Sequence, residues 1–356
     1  MTPRFHALKV ADVRQETDDT VSIAFHIPAE LLSDYTYKAG QYLTLRATID
    51  GQDTRRSYSI CQAPHENELR VAIKRIDDGL FSSWATRRLK SGDTVEVMTP
   101  MGHFALEPET SAKKSYALFA AGSGITPIMA IAKAILKNEP QSDVTLIYGN
   151  KGFASIIFRE ELEGLKNTFM DRFRLIHILS RESLGNPLQK GRIDAEKIDK
   201  LSKAFFSGQD ISGVYVCGPE EMIHAVKERM TAFGVDEKHI HFELFATGVS
   251  KKAVEKPVSS EPSVASNVSV IIDGDQIDLF LSSDGMTILD AAHEAGADLP
   301  FACKGGVCCT CKAKILEGTA SMDVNYALEK DEVEAGYILT CQAHPTSEKL
   351  IVSFDH

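Results

Sequence analysis

The chemistry of this chain is most visible in a group of cysteines near its C-terminal end. Cys303, Cys308 and Cys311 are separated by four and by two residues, and Cys341 lies further along the chain. This spacing is typical of four thiolates around a [2Fe–2S] cluster, in which each iron takes two protein sulfurs. We therefore expect these four cysteines to hold such a cluster, which passes one electron at a time.

Other residues of the same loop bear on this interpretation. Gly305 and Gly306 suit a backbone that wraps closely around a cluster, since glycine enters positive φ freely. Cys309 breaks the ligand spacing, and we interpret it as a packing residue. A zinc site is the main alternative, although zinc sites more often use two Cys-x2-Cys pairs. A disulfide is less expected in a chain of 356 residues that starts without a secretory signal.

A short motif in the N-terminal part could bind a flavin. Arg56, Tyr58 and Ser59 follow one another in an extended segment. A flavin needs a cation for its phosphate, an aromatic face for its ring and a hydroxyl near its reactive N5 atom. Further along, Gly79 leads into a helix N-terminus that contains Ser82, where free amides could bind a pyrophosphate. The motif alone is weak, and these residues do not distinguish FAD from FMN.

A second glycine-containing loop could bind a dinucleotide. Gly122 and Gly124 come directly after an apolar strand, and Thr126 and Pro127 open the helix that follows. The glycines let a dinucleotide approach the backbone, and the helix N-terminus favours its pyrophosphate, although the third glycine of the Rossmann fingerprint is missing. Cys217 closes a later strand at the same carboxyl edge of the sheet, where open α/β sheets bind ligands.

The choice of nucleotide depends on the residues after the third strand of this sheet, Ser180 and Arg181. An arginine at this position can pair with the 2′-phosphate of NADPH, whereas NADH sites favour an acidic residue on the ribose 2′-hydroxyl. Glu182 is the next residue, so both signals are present side by side. The sequence favours NADPH over NADH, and a plain exposed charge is the alternative interpretation of Arg181.

The patterns around these motifs predict three domains and one linker. Residues 1–110 contain short alternating runs, as in a small antiparallel β-barrel, and residues 111–246 alternate strands with helices, as in a doubly wound α/β domain. Residues 247–266 are rich in Ser, Lys and Pro and are predicted to be a linker, and residues 267–356 begin with a hairpin. In the second domain we predict strands and helices at Tyr116–Ala121, Pro127–Lys137, Val144–Tyr148, Ile156–Leu165, Phe173–Leu179, Val214–Cys217 and Glu220–Phe233.

The charge is distributed unevenly along the chain. The net charge is −11, and the segment from Val268 onward holds 15 acidic and 5 basic residues. Such a segment would repel nucleic acid and favour a basic protein partner, unless its acidity only keeps the domain soluble. No apolar run is long enough for a membrane helix, so we expect a cytoplasmic protein that does not enter membranes.

Taken together, these motifs resemble those of the ferredoxin–NADP⁺ reductase superfamily, in particular its iron–sulfur flavoprotein members with a C-terminal plant-type [2Fe–2S] ferredoxin domain. The order and spacing of Arg-x-Tyr-Ser, Gly-Ser-Gly-Ile-Thr-Pro and Cys-Gly-Pro carry the resemblance. It is strongest to the reductase subunits of ring-1,2-phenylacetyl-CoA epoxidase complexes, over nearly the full length. It implies a β-grasp fold for the α+β ferredoxin domain and FAD rather than FMN.

The resemblance also implies roles for single residues. Arg56, Tyr58 and Ser59 would bind the flavin with Ser82 at its phosphates, and Cys217 would lie near the nicotinamide. Gly122, Gly124 and Thr126 would bind the nicotinamide dinucleotide. The stretch Glu243-Leu-Phe245 matches the family's closing Glu-Arg-Phe, without a firm role.

The expected function is an NAD(P)H-dependent reductase that passes electrons from NADPH to FAD, to the [2Fe–2S] cluster and to a di-iron oxygenase acting on phenylacetyl-CoA, in phenylacetate degradation. The oxygenase would dock at the acidic ferredoxin domain. A fatty-acyl desaturase or an aromatic-ring dioxygenase is the alternative acceptor. A zinc-bound interaction module without redox activity is a remote alternative.

Overall fold

The structure is a computed structural model that describes residues 4–245 and 263–355. Most of the predicted linker lies outside these residues. The described residues divide into two compact units. The first consists of His6–Thr54 and Tyr58–Phe245, and the second contains the C-terminal segment together with Phe5 and Arg55–Ser57. No helix among the described residues is long and apolar enough to cross a membrane.

The N-terminal part of the first unit is an antiparallel sheet of six strands and one short helix. The strands are ordered β4-β3-β6-β1-β2-β5. An isolated antiparallel bridge from Ile60 to Val71 connects the end of one edge strand to the other edge strand, so the sheet curls towards a barrel, as predicted. The elements are β1 (Phe5–Thr17), β2 (Thr20–His26), β3 (Tyr42–Ile49), β4 (Gln52–Ser59), β5 (Leu69–Lys74), α1 (Leu80–Arg87) and β6 (Thr94–Met98).

The remainder of the first unit is a parallel five-stranded sheet with helices on both faces. Its strand order is β11-β10-β7-β8-β9, with every neighbouring pair parallel. This confirms the predicted doubly wound α/β class. The elements are β7 (Ser115–Ala121), α2 (Ile125–Asn138), β8 (Asp143–Asn150), α3 (Arg159–Thr168), β9 (Phe173–Leu179), α4 (Ala195–Phe205), β10 (Ile211–Gly218), α5 (Glu220–Phe233) and β11 (Ile240–Leu244).

Alternate residues of β7 pack into two different hydrophobic clusters. Leu118 and Ala120 join the cluster that contains α2, and Ala117 and Phe119 join the cluster of α4 and α5. Both faces are covered because a parallel sheet is stable only when it is buried on both sides. The α2 cluster also contains Phe104 from the segment that follows the antiparallel sheet, so one hydrophobic core lies against both parts of the first unit.

The second unit contains a mixed five-stranded sheet of order β13-β12-β18-β14-β16, a two-stranded sheet and two short helices. The predicted hairpin is present, and Asp273 and Gly274 form its turn with φ of 50° and 83°. The α+β class is confirmed. The elements are β12 (Ala265–Ile272), β13 (Asp275–Ser282), α6 (Ile288–Glu294), β14 (Lys312–Glu317), β15 (Ala320–Met322), α7 (Lys330–Glu334), β16 (Tyr337–Leu339), β17 (Ala343–Pro345) and β18 (Lys349–Ser353).

Two predicted elements have boundaries that are wrong by three residues. Strand β10 begins at Ile211 and not at Val214. The helix expected over Ile156–Leu165 is α3, which begins at Arg159 and ends at Thr168. Phe158 precedes it with φ of 58°, a left-handed conformation that ends the preceding irregular turn. Ile156 and Ile157 are instead buried in the α2 cluster.

Candidate functional site

The predicted flavin residues lie on β4 and the adjacent helix α1. Arg56 is exposed, and Tyr58 is half-buried with its ring 5.8 Å from that of Phe81 on α1. Ser82 is buried in the first turn of α1, and its hydroxyl accepts a hydrogen bond of 3.1 Å from the amide of Ile76. Ser82 therefore holds the loop that leads into α1. If a flavin phosphate binds there, as predicted for Ser82, it does so at the N-terminal end of α1.

The predicted dinucleotide loop joins β7 to α2 at the carboxyl edge of the parallel sheet. Gly122 has φ of 54°, and a Cβ atom added there would meet nothing within 4 Å. A Cβ atom at Gly124 would lie 2.1 Å from the carbonyl oxygen of Cys217. Glycine at position 124 is thus required because the turn packs closely against β10. At position 122 there is space for a side chain, and glycine is favoured because the backbone has a positive φ. Thr126 is buried, and its hydroxyl donates to the carbonyl of Ser123.

Ser59, Cys217 and Glu243 come together although they are distant in sequence. Strand β11 pairs with β10 so that Glu243 lies opposite Cys217. The hydroxyl of Ser59 donates a hydrogen bond of 2.8 Å to the Glu243 carboxylate. Burial raises the pKa of Glu243 to about 8, against the weaker lowering effect of the Ser59 hydrogen bond. Burial, together with the charge of Glu243, also raises the pKa of Cys217, so this thiol stays protonated.

Glu243 is a functional candidate for which the sequence predicted no role. Its only sequence signal was the match of the Glu243-Leu-Phe245 stretch to a family motif. Without the pairing of β10 with β11, nothing in the sequence connects it to Ser59. The arrangement supplies one hydroxyl, one thiol and one carboxyl that can hold a proton near neutral pH.

The predicted nucleotide-selecting residues follow β9. Arg181 is exposed and forms no ion pair with any other residue that the structure describes. Glu182, which the sequence left as a competing signal, accepts a hydrogen bond of 2.9 Å from the amide of Phe153. Lys190, which was not predicted from the sequence, is exposed. Its backbone forms an isolated parallel β-bridge with Leu179 at the end of the same strand. Arg181 and Lys190 therefore provide two cations at this edge.

The four predicted cluster ligands lie in one part of the second unit. Cys303 interacts through its sulfur with Cys308 and Cys341, and Cys341 interacts in turn with Cys311. The amide of Gly305 donates to the Cys303 sulfur at 3.3 Å. Four free thiols match the donor set of a [2Fe–2S] cluster, and the Gly305 amide supplies a hydrogen bond to one of these sulfurs. The described residues contain no group of three or more His, Cys, Asp or Glu arranged for a single metal ion.

The backbone of this loop takes left-handed conformations at three positions, Lys304, Gly306 and Cys309. Gly306 agrees with the prediction of positive φ, and a Cβ atom there would lie 3.1 Å from Val324. Gly305 does not have positive φ, and it contributes its amide instead. Cys309 is buried, and its thiol donates to the carbonyl of Ala327 at 3.2 Å.

Three family models match the chain. Residues 7–106 match the oxidoreductase FAD-binding domain, residues 118–228 match the oxidoreductase NAD-binding domain, and residues 270–346 match the 2Fe-2S iron-sulfur cluster binding domain. FAD, a pyridine nucleotide and a [2Fe–2S] cluster are thus the cofactors of these domains, as expected.

Two curated relatives match along almost the whole chain. One component of the 1,2-phenylacetyl-CoA epoxidase from Escherichia coli K12 is 43% identical over 351 residues, which cover 99% of this chain and 98% of that protein. The ferredoxin reductase component of 3-ketosteroid-9-alpha-monooxygenase from Rhodococcus rhodochrous is 32% identical over 353 residues, which cover 98% of this chain and 96% of that protein.

Among solved structures, phthalate dioxygenase reductase matches with a TM-score of 0.61 at 23% identity, covering 98% of both chains. This likeness supports the fold. With the three domain matches and the near full-length relatives, the chain belongs to the ferredoxin reductase family of oxidoreductases, which transfer electrons between a pyridine nucleotide, FAD and a [2Fe–2S] cluster.

Proposed function

We propose that this chain is the reductase component of a multicomponent oxygenase that epoxidises phenylacetyl-CoA in phenylacetate degradation. Electrons would pass from NADPH to FAD, to the [2Fe–2S] cluster and to a di-iron oxygenase. The observation that carries the proposal is the 43% identity to a component of 1,2-phenylacetyl-CoA epoxidase over nearly the full length of both proteins. The reductase would work in the cytoplasm, as the sequence predicts.

The cofactors carry the redox chemistry, and the protein binds and aligns them: the nicotinamide supplies a hydride, the flavin separates its two electrons, and the cluster passes them on singly. Arg56 would pair with a flavin phosphate and Tyr58 would pack on the ring. Ser82 holds the N-terminal turn of α1, whose free amides would face the phosphates. Residues 1–110 form the proposed flavin domain.

Ser59 and Cys217 are the proposed catalytic residues because they lie at the junction of the two sheets. The Ser59 hydroxyl would donate towards the flavin N5 when the Glu243 carboxyl does not hold it, and the uncharged Cys217 thiol would pack beside the nicotinamide. Gly122, Gly124 and Thr126 would hold the dinucleotide at the N-terminus of α2. Residues 111–246 form the proposed nucleotide domain. The linker to the ferredoxin domain, residues 267–356, was predicted over residues 247–266, but its last two residues, Ala265 and Ser266, belong to β12.

Cys303, Cys308, Cys311 and Cys341 are the proposed cluster ligands. The segment from Val268 onward holds 15 acidic and 5 basic residues, so we place the docking surface for a basic patch of the oxygenase on this domain. Nucleic acid and membrane are not among the proposed partners.

A different acceptor is the second candidate function. The relatives at 32% and 28% identity are named as reductase parts of a 3-ketosteroid monooxygenase and, in Pseudomonas aeruginosa, a glycine betaine monooxygenase. The same three domains therefore occur with different oxygenases. An aromatic-ring dioxygenase or a fatty-acyl desaturase would fit the same electron path.

Reconstitution separates these candidates. The purified chain would be combined in turn with the oxygenase subunits of a phenylacetyl-CoA epoxidase and with a 3-ketosteroid 9α-oxygenase, and product would be measured with NADPH as the donor. We expect epoxide from phenylacetyl-CoA at a rate at least about tenfold above the steroid reaction. A reversed preference would exclude phenylacetyl-CoA epoxidation as the function.

The nucleotide choice is tested separately with Arg181→Ala. A charge-assisted hydrogen bond to the 2′-phosphate contributes about 1.5–3 kcal/mol. The KM for NADPH should therefore rise roughly 10- to 150-fold in steady-state ferricyanide reduction, while the KM for NADH changes little. Equal losses with both nucleotides would assign Arg181 a structural role.

A further inference from the structure

Three consecutive residues after β9 are bonded to the last residue of β8 and to the segment that follows it. The amide of Ser180 donates to the carbonyl of Asn150 at 2.9 Å, and the amide of Arg181 donates to the carbonyl of Lys151 at 2.8 Å. The backbone of both residues is therefore fixed at the carboxyl edge of the sheet. Glu182 continues this pattern with its side chain instead of its backbone.

The Glu182 carboxylate is bound to a tight turn. Its Oε2 atom accepts a hydrogen bond of 2.9 Å from the amide of Phe153, which begins a one-turn 3₁₀ helix, Phe153–Ser155. The same turn is closed by the hydroxyl of Ser155, which donates to the carbonyl of Gly152 at 2.7 Å. The carboxylate of Glu182 is thus directed towards the 3₁₀ turn that follows β8, and Arg181 beside it is exposed.

Gly152 makes room for this carboxylate. A Cβ atom at position 152 would lie 2.2 Å from Oε1 of Glu182. The φ and ψ of Gly152 are −157° and 175°, an extended conformation that any residue adopts. Glycine is therefore not required here for the backbone, and the space it leaves is filled by Glu182.

We propose that Gly152 and Glu182 form a latch that determines nucleotide selectivity. The latch holds an acidic side chain away from the ribose 2′-position and leaves Arg181 to meet a 2′-phosphate. Released from the turn, the Glu182 carboxylate would remain next to Arg181, where it repels a phosphate or accepts a hydrogen bond from a 2′-hydroxyl. This inference rests on the proposed use of NADPH.

The test uses the full-length holoenzyme and a rescue experiment. Gly152→Ala should displace the end of a flexible side chain and not the backbone. We expect the ratio of kcat/KM for NADPH to that for NADH to fall roughly 1.5- to 5-fold at low salt, the order expected for exposed like charges. Gly152→Ala combined with Glu182→Gln removes the displaced charge and should restore the ratio. Gly164→Ala is the matched control, since a Cβ atom there meets nothing within 4 Å.

A second measurement checks the latch without any nucleotide. Hydrogen exchange of the Phe153 amide should become faster in Gly152→Ala than in the wild type and in Gly164→Ala. Unchanged exchange would show that the latch does not exist. Faster exchange with an unchanged selectivity ratio, or a lowered ratio that Glu182→Gln does not restore, would overturn its role in selectivity. A wild-type preference for NADH would instead refute the proposed use of NADPH.

Discussion

Glu243 is the side chain whose protonation bears on the candidate site, because its carboxylate accepts a hydrogen bond from the Ser59 hydroxyl. The folded-state pKa of Glu243 is raised to about 8 from an ordinary value of 4.5 because the carboxyl is buried. The folded protein therefore binds a proton that the unfolded chain releases between these pH values. The contribution of this group to the free energy of unfolding is greatest below pH 4.5 and is lost as the pH rises to about 8.

The same titration should appear in the activity. An ionised Glu243 is a stronger hydrogen-bond acceptor than a neutral one, so above pH 8 it would hold the Ser59 hydroxyl and withdraw it from its proposed position at the flavin. We predict that the rate of flavin reduction by saturating NADPH, measured by stopped flow, falls as the pH rises through about 8. In Glu243→Gln this inflection should be absent. An inflection that persists in the variant would assign the titration to another group.

The adjacent cysteines of the cluster loop allow a second test at this scale. Cys308→Ser removes a proposed ligand and should abolish the visible absorption of the cluster. Cys309→Ala removes only a buried thiol that donates to the carbonyl of Ala327, at a cost of about 1 kcal/mol in unfolding free energy. Iron content and visible absorption should therefore stay at wild-type levels in Cys309→Ala. Loss of iron from this variant would show that Cys309 is a ligand.

At the scale of elements, the turn between β7 and α2 depends on two glycines for different reasons. An alanine Cβ at position 124 would meet the backbone of Cys217, which no rotamer change can relieve, and overpacking of this kind costs about 1–3 kcal/mol. An alanine at position 122 has space but adopts φ of 54°, at about 1–2 kcal/mol.

We therefore predict different signatures for the two alanine variants. Gly124→Ala should move the turn off β10, lowering the thermal midpoint of flavin release and raising the KM for NADPH severalfold. Gly122→Ala should lower the midpoint with a smaller change in KM. The reverse order of KM values would mean that Gly122, and not Gly124, sets the position of the dinucleotide.

Some elements were predicted from the sequence with their limits, and others were not predicted. Strand Phe173–Leu179 and helix Glu220–Phe233 have the predicted limits. Strand β1 was not predicted, because only three of its 13 residues are buried and the alternation is hard to recognise. Helix α4 was also missed, although its buried residues Ile198 and Leu201 lie at helical spacing.

The individual motifs of the proposed site could be recognised in the sequence, but the contacts between residues from different motifs could not be predicted. Each glycine, arginine or cysteine motif is local in sequence and reports a local backbone requirement. Ser59 and Glu243 meet only because β11 pairs with β10 at the junction of the two sheets. The position of the Glu182 carboxylate similarly depends on Gly152, which has no signature of its own in the sequence.

For the whole molecule, charge and cofactors are distributed between two units. The segment from Val268 onward contributes 15 acidic and 5 basic residues to a net charge of −11. Association with a basic partner should therefore slow as salt rises, because the Debye length falls from about 10 Å at 0.1 M to about 3 Å at 1 M. Oxygenase turnover should fall over this range, whereas flavin reduction by saturating NADPH, followed by stopped flow, should change much less. Equal salt dependence of both would contradict docking at the acidic domain.

The division into units also predicts which reactions survive truncation before Val264. The proposed flavin and nucleotide residues all lie upstream of this point, and the first unit has its own hydrophobic clusters. The truncated chain should keep NADPH-dependent ferricyanide reduction near the wild-type rate. It should not support NADPH-driven turnover of phenylacetyl-CoA by the oxygenase, because only the removed domain carries the cluster residues. The full-length Cys308→Ser variant is the control, since it should lack the cluster while it keeps the domain. Turnover with the truncated chain would identify the flavin as the direct donor to the oxygenase.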